Sequence, residues 1–231
     1  MASQLLAAVL VTASSATLAY LLGMVSRDGA LGGFAVGTLI YASLGPKGFA
    51  ILALFVVGGS LLTRLGYRSK QRDGTAQDHG GRRGARNAFA NSAVAVGCAI
   101  LAALTGFQSF TAAFVASLSA AFADTAESEV GQVYGRTPRL ITTFRKVSPG
   151  TDGAISAPGT LAGITTATLT AAAGLALGLV EDPSAMLLVA LAASLGTVAD
   201  SLVGAIVPRA GNEATNLFCT LTAAILTLLL V

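Results

Sequence analysis

The chain is a succession of apolar runs, each close to the roughly 20 residues that a helix needs to cross a bilayer's hydrocarbon core. They lie near 4–25, 47–65, 87–105, 108–131, 157–180, 184–207 and 213–231. Lipid offers no partner to backbone N–H and C=O groups, so each run predicts a helix. A shorter run, 29–44, carries Gly29, Gly32, Gly33 and Gly37. It predicts a short eighth span, the alternative being a re-entrant segment. Composition agrees: 54% of residues are hydrophobic, 11% are charged, and mean hydropathy is +0.74. A soluble domain carries roughly 25% charged residues, so most of this chain's outer surface must face lipid. The 27 glycines suit closely packed membrane helices. The predicted fold is all-α: one integral-membrane domain over 1–231, a polytopic transmembrane helix bundle of about eight spans. The stretch 5–22 has no basic flank and reads as a spanning helix, not a cleaved signal.

Eight spans fix a topology. The links 26–28, 66–86, 132–156 and 208–212 fall on one side, with Arg27, Arg68, Lys70, Arg72, Arg82, Arg83, Arg86, Arg136, Arg139, Arg145, Lys146 and Arg209. The opposite side holds both termini and essentially Lys47, Glu181 and Asp182. The positive-inside rule puts the first side, and its long loops 66–86 and 132–156, in the cytoplasm. Glycines and charges make 66–84 read as a mobile loop. His79 within it reads as solvated surface, while Cys98 and Cys219, inside apolar runs, read as packing residues. The basic loops carry few aromatics, which argues against nucleic acid as a partner.

Carboxylates inside spans need a reason to be there. Asp124, Glu127 and Glu129 crowd the end of one predicted span, and Asp200 lies in another. Asp124 and Asp200 each follow an Ala-Ser-Leu triplet and are expected about seven residues before their helices end, a weak sign of internal duplication. Hard oxygen ligands suit Mg²⁺ bound together with substrate phosphates; the alternative is salt bridging to Arg83 or Arg139. Arg83, Asn87 and Asn91 recur every four residues and make one polar stripe, and Asn212 and Asn216 a shorter one. Such stripes should face the bundle interior, either bonding helix to helix or orienting a polar ligand. Last, Arg139, Thr142, Thr143, Arg145 and Lys146 precede Gly150, Thr151, Asp152 and Gly153, and a helix is expected to begin near Ser156. Glycine-rich backbone, basic side chains and a helix N-terminus together form an anion site.

The runs Asp124-Thr125-Ala126-Glu127-Ser128-Glu129-Val130-Gly131, Pro138-Arg139-Leu140-Ile141-Thr142-Thr143, Pro149-Gly150-Thr151-Asp152-Gly153-Ala154-Ile155-Ser156 and Asp200-Ser201-Leu202-Val203-Gly204-Ala205 resemble an integral-membrane family that includes plant phytyl-phosphate kinase and a eukaryotic transmembrane relative. The pattern from Arg83 to Ala90-Asn91 is similar as well, so the resemblance covers about residues 80–220. A more distant likeness joins Asp124 through Arg136 to CTP-dependent polyprenol kinases. The chain departs at Glu127, where a small residue is expected, at Phe144 and Ala154, where Gly is usual, and at Asn87, where Gln is common.

The resemblance implies transfer of the γ-phosphoryl group of a nucleotide, CTP, to an isoprenyl monophosphate. Asp124 and Glu129 fall on the family's acidic positions and Asp200 is a third. The mechanism expected from it has Mg²⁺ held by Asp124, Glu129 and Asp200, with Glu127 beside them. Gly150–Gly153 and Arg139, Arg145 or Lys146 cradle the nucleotide, and Arg83, Asn87 and Asn91 orient the acceptor. The expected partners are the nucleotide, the isoprenyl monophosphate and membrane lipid, with a homo-oligomer compatible. An isoprenoid-alcohol kinase, a CTP-dependent cytidylyltransferase and, in another class, a small-solute or lipid transporter are the competing readings. The almost purely apolar outer halves of the spans weigh against transport.

Overall fold

A computed structural model describes residues 2–207 and 210–231. The expectations for the His79 side chain and for Arg209 lie outside the described residues. The chain is helical almost throughout: α1 (Ala2–Leu21), α2 (Arg27–Arg64), α3 (Tyr67–Arg72), α4 (Asp78–Gly81), α5 (Ala85–Thr105), α6 (Gln108–Tyr134), α7 (Ala157–Ala176), α8 (Pro183–Ile206) and α9 (Gly211–Leu230). Two two-residue strands, β1 (Arg139–Leu140) and β2 (Ala154–Ile155), pair antiparallel between α6 and α7. Seven helices are long and apolar enough to cross a membrane. The molecule is therefore an all-α polytopic membrane protein.

The 38 residues of α2 are two helices in one. Gly45 interrupts them at φ 65° and ψ −160°, a conformation open to glycine, and Pro46 starts the second half. The Tyr41 and Phe49 rings lie 5.9 Å apart, centroid to centroid. Eight residues along one straight helix would separate them by about 12 Å, so the chain doubles back at Gly45. The glycine-rich run is thus a helix in its own right, about 27 Å long at 1.5 Å per residue. It is antiparallel to the second half and supplies the eighth span.

Helix α6 is the axis of the bundle. Every residue from Thr111 to Ala123 is buried, and α2, α5, α7, α8 and α9 pack around it. Its alanines and serines let neighbours approach on all sides, as membrane packing requires. At the closest approach, a Cβ on Gly159 of α7 would lie 2.6 Å from the Glu127 carbonyl oxygen of α6. Large aliphatic side chains such as Leu31, Leu104, Leu161 and Leu229 point outward, as lipid-facing residues should.

The charged links gather at one end of the bundle. There Arg64 donates to the Leu22 carbonyl, the Arg83 N–H to Met24 O at 3.2 Å and the Ser26 N–H to Arg83 O at 3.1 Å. At the other end Gln4 reaches Ala42 O, and the Lys47 ammonium lies beside Gly178. Two expectations need correction. Helix α6 runs to Tyr134, so Asp124 stands ten residues before its end instead of seven. The link after α2 is not a loose loop: it forms α3 and α4, and Lys70 of α3 is buried.

Candidate functional site

The end that gathers the links also holds a cavity of about 510 Å³. Its floor comes from α6 (Asp124, Thr125, Glu127, Glu129) and α8 (Asp200, Ser201), one wall from Arg83 in the link before α5 and from α5 itself (Asn87, Asn91), and another from the start of α9 (Asn212, Thr215, Asn216). The roof is the Pro149–Ser156 segment, with Asp73–Gln77 beside it. The polar stripes of the sequence face inward, and the glycine-rich segment lies over the membrane carboxylates.

The carboxylates do not behave alike. Glu129 is buried, and Lys70, 59 residues earlier in the chain, forms an ion pair with it. Lys70 is itself 1% exposed and also donates to Thr63 O at 2.8 Å. Glu127 turns toward α7, where its carboxylate packs against Gly163. Asp200 Oδ1 is buried and has no hydrogen-bond partner among the described residues. No side chain among those residues forms a salt bridge with Asp124. Asp124 and Asp200 both line the cavity.

These facts test the fit of a divalent cation. Among the described residues no three Asp, Glu, His or Cys side chains stand close enough to share a metal. A cage built from Asp124, Glu127, Glu129 and Asp200 therefore does not fit, and Glu129 already has a protein cation. Asp124 and Asp200 do fit the commoner Mg²⁺ arrangement, in which one or two carboxylates act with phosphate oxygens and water. The orphaned Oδ1 of Asp200 is the specific observation in favour.

Arg83 sits where its charge can be shared. Its Nη2 donates to Thr125 Oγ1 at 3.2 Å. Its guanidinium carbon lies 5.2 Å above the Phe55 ring centroid, a cation–π distance. Gly59 leaves the room, since a Cβ there would come within 2.8 Å of Nη2. Asn91 is buried and donates to Asn87 O at 2.9 Å, within its own helix, and among the described residues it bonds to no neighbouring helix.

The link 135–156 differs from its sequence reading. Arg139, Thr142, Thr143, Arg145 and Lys146 do not line the cavity. They form a tight exposed turn in which Arg139 bridges to Lys146 on one side and pairs with Ile155 on the other. Arg139 Nη1 donates to Phe144 O at 2.7 Å, holding the turn. Phe144 takes φ 54°, the left-handed region that glycine enters freely, which accounts for glycine being usual at that position. Gly150 and Gly153 also have positive φ, 81° and 72°, and a Cβ on Gly153 would collide with Ser201 O at 2.5 Å. Ser156 caps α7 by accepting from the Gly159 N–H at 3.3 Å. Its hydroxyl is therefore engaged by the helix.

Sequence reasoning missed Lys70, Thr75, Gln77, Thr125 and Gln132. The last four line the cavity, and Lys70 pairs with Glu129 beneath it. The one available signal for Lys70 was the need of a lone buried Glu129 for a cation. Among the described residues neither Arg83 nor Arg139 forms a salt bridge with these carboxylates, though Arg83 lines the same cavity.

The fold and cavity define a polytopic membrane protein with an acidic and amide-rich site sunk into one end of the bundle. The chain matches the family of integral membrane protein DUF92 over residues 10–224, and it belongs to that family. It is 36% identical over 185 residues to Protein VTE6, chloroplastic, of Arabidopsis thaliana, covering 78% of this chain and 55% of that protein. An uncharacterized membrane protein of Synechocystis, sll0875, is 35% identical, covering 78% of this chain and 72% of the relative. Another from Methanocaldococcus jannaschii, MJ0933, is 35% identical, covering 88% and 84%. The chain thus spans about half the length of the chloroplastic relative. No solved structure matches.

Proposed function

We propose that this protein is a membrane-embedded kinase that transfers the γ-phosphoryl group of a nucleotide to an isoprenyl monophosphate, giving the diphosphate. The observation that carries the reading is one cavity that joins two aspartates without a salt-bridge partner among the described residues, an arginine and a glycine-rich backbone segment at the charged end of a lipid-facing bundle. A lipid-tailed acceptor needs the bilayer and a nucleotide needs water, and a cavity at this depth serves both. The family resemblance supports CTP as the donor and a phytyl-like chain as the acceptor. The basic links support a cytoplasmic opening for the cavity.

In the proposed reaction an oxygen of the acceptor's phosphate attacks the γ-phosphorus. The bond between that phosphorus and the β–γ bridging oxygen breaks, and the electron pair leaves with the nucleoside diphosphate. A phosphate oxygen is ionised near neutral pH, so no general base is required. Positioning and charge neutralisation do the chemistry, as is usual for phosphoryl transfer. Arg83 and Asn87 orient the acceptor's phosphate, and backbone at Gly150–Gly153 closes over the nucleotide. Mg²⁺ at Asp124 and Asp200 would neutralise charge on the transferred group. The exposed Arg139, Arg145 and Lys146 fit a role in attracting the nucleotide, not in gripping it.

The test is direct. Protein purified in detergent is given Mg²⁺, labelled CTP and a panel of isoprenyl monophosphates and isoprenols, and products are separated by chromatography. Diphosphate from the monophosphates is expected. Product from the alcohols alone would make it an alcohol kinase, and a CDP-linked product would make it a cytidylyltransferase. No turnover with CTP, ATP, GTP or UTP, together with no thermal shift by CTP–Mg²⁺, would remove the kinase reading.

A further inference from the structure

A second compartment lies beside the polar one. It is a crevice of about 250 Å³ between α1, the two halves of α2 and the start of α5, and its walls are almost wholly apolar. Along α1 it runs from Leu22 to Thr12, about 15 Å of helix. Arg83 and Asn87 line both this crevice and the polar cavity. Phe55, the ring under the Arg83 guanidinium, belongs to the crevice wall.

We infer that this crevice holds the tail of a single-chain isoprenyl monophosphate, with the phosphate at the Arg83–Asn87 junction. The inference rests on the kinase reading for the identity of the acceptor, but its geometry is independent. An apolar slot that ends on a guanidinium and an amide complements a ligand with one anionic end and one hydrocarbon chain. Water in such a slot would gain few hydrogen bonds, so an apolar occupant is favoured. A volume of about 250 Å³ suits one chain and not the paired chains of a bilayer phospholipid. Access is lateral: α1 is the most peripheral span, with 11% of its residues buried, and it packs chiefly on α2. Room is built in at Gly33, which lines the crevice and where an added Cβ would meet no atom within 4 Å.

The experiment uses the whole chain in phosphatidylcholine nanodiscs. A farnesyl monophosphate with a diazirine at its tail end is photolysed, and adducts are mapped by peptide mass spectrometry. Adducts are expected on α1 and on both halves of α2, displaced by excess unlabelled isoprenyl monophosphate and only weakly by the matching alcohol. Gly33→Leu fills the slot and should cut labelling about tenfold or more, whereas Leu31→Ala, on the lipid-facing side, should not change it. Two results overturn the inference: adducts confined to outward-facing residues, or equal crevice labelling by a diazirine-tailed phosphatidylcholine. Turnover measured in parallel separates the two readings. Crevice adducts without phosphoryl transfer would retire the kinase and leave the tail site standing. Transfer with the long-to-short chain preference unmoved by Gly33→Leu would do the reverse.

Discussion

Glu129 and the Asp124–Asp200 pair are carboxylates on the same cavity, yet the protein treats them in opposite ways. Glu129 receives a dedicated cation from Lys70, and that side of the cavity is electrostatically closed. Asp124 and Asp200 receive none among the described residues, and one oxygen of Asp200 has no hydrogen bond at all. Burial is unfavourable for an unpaired charge, so a chain that neutralises one acid and leaves two neighbours open fits the proposal that the open ones meet a ligand. The closed pair is architecture. It pins α3, and with it the 65–84 link, onto α6.

The contrast predicts effects of opposite sign. The largest belongs to the closed pair. Glu129→Gln leaves the Lys70 ammonium buried without its partner, and should lower stability by about 3–5 kcal/mol, read from reversible unfolding in detergent. The double change Lys70→Met with Glu129→Gln should recover much of that loss. If the single change is harmless, the pair is not the anchor described here. Next comes chemistry. Asp124→Asn and Asp200→Asn should each lower kcat by about 10²–10³-fold in the CTP assay while the protein stays folded; surviving activity would remove the metal assignment. The same two changes sharpen the comparison through stability. Without ligand each should be neutral or raise stability by up to about 1 kcal/mol, because a buried charge without a salt-bridge partner is removed. A loss comparable to that of Glu129→Gln would mean these acids have protein partners after all. The smallest effect is at the turn outside the cavity: Phe144→Gly should gain up to about 1 kcal/mol by removing left-handed strain, seen as a slightly higher Tm.

Much of this was legible in the sequence, for identifiable reasons. Span length, charge asymmetry and the inward direction of Asn87, Asn91, Asn212 and Asn216 follow from what a bilayer tolerates, and that constraint acts on each helix separately. The gathering of Asp124 and Asp200 at one end followed from their places near the ends of two helices of like direction, even though α6 runs three residues further than expected. What stayed hidden depends on pairs distant in the chain. Lys70 looks like any basic loop residue, and nothing local ties it to Glu129. Arg139, Arg145 and Lys146 looked like phosphate ligands because charge was visible and the pairing of β1 was not. The Glu127 carboxylate shares the cavity with Asp124 as helical spacing suggests, but its packing against Gly163 of α7 was not visible in the sequence.

Arg83 is held through its main chain as well as its side chain. Its N–H and C=O are bonded to Met24 and Ser26 in the turn that joins α1 to α2. The guanidinium between the two compartments is thus tied to the turn that joins α1, the most peripheral span, to α2. In the proposed route, a chain that enters by parting α1 from α2 would tug on that residue, so lateral entry and the placing of the guanidinium would be mechanically linked.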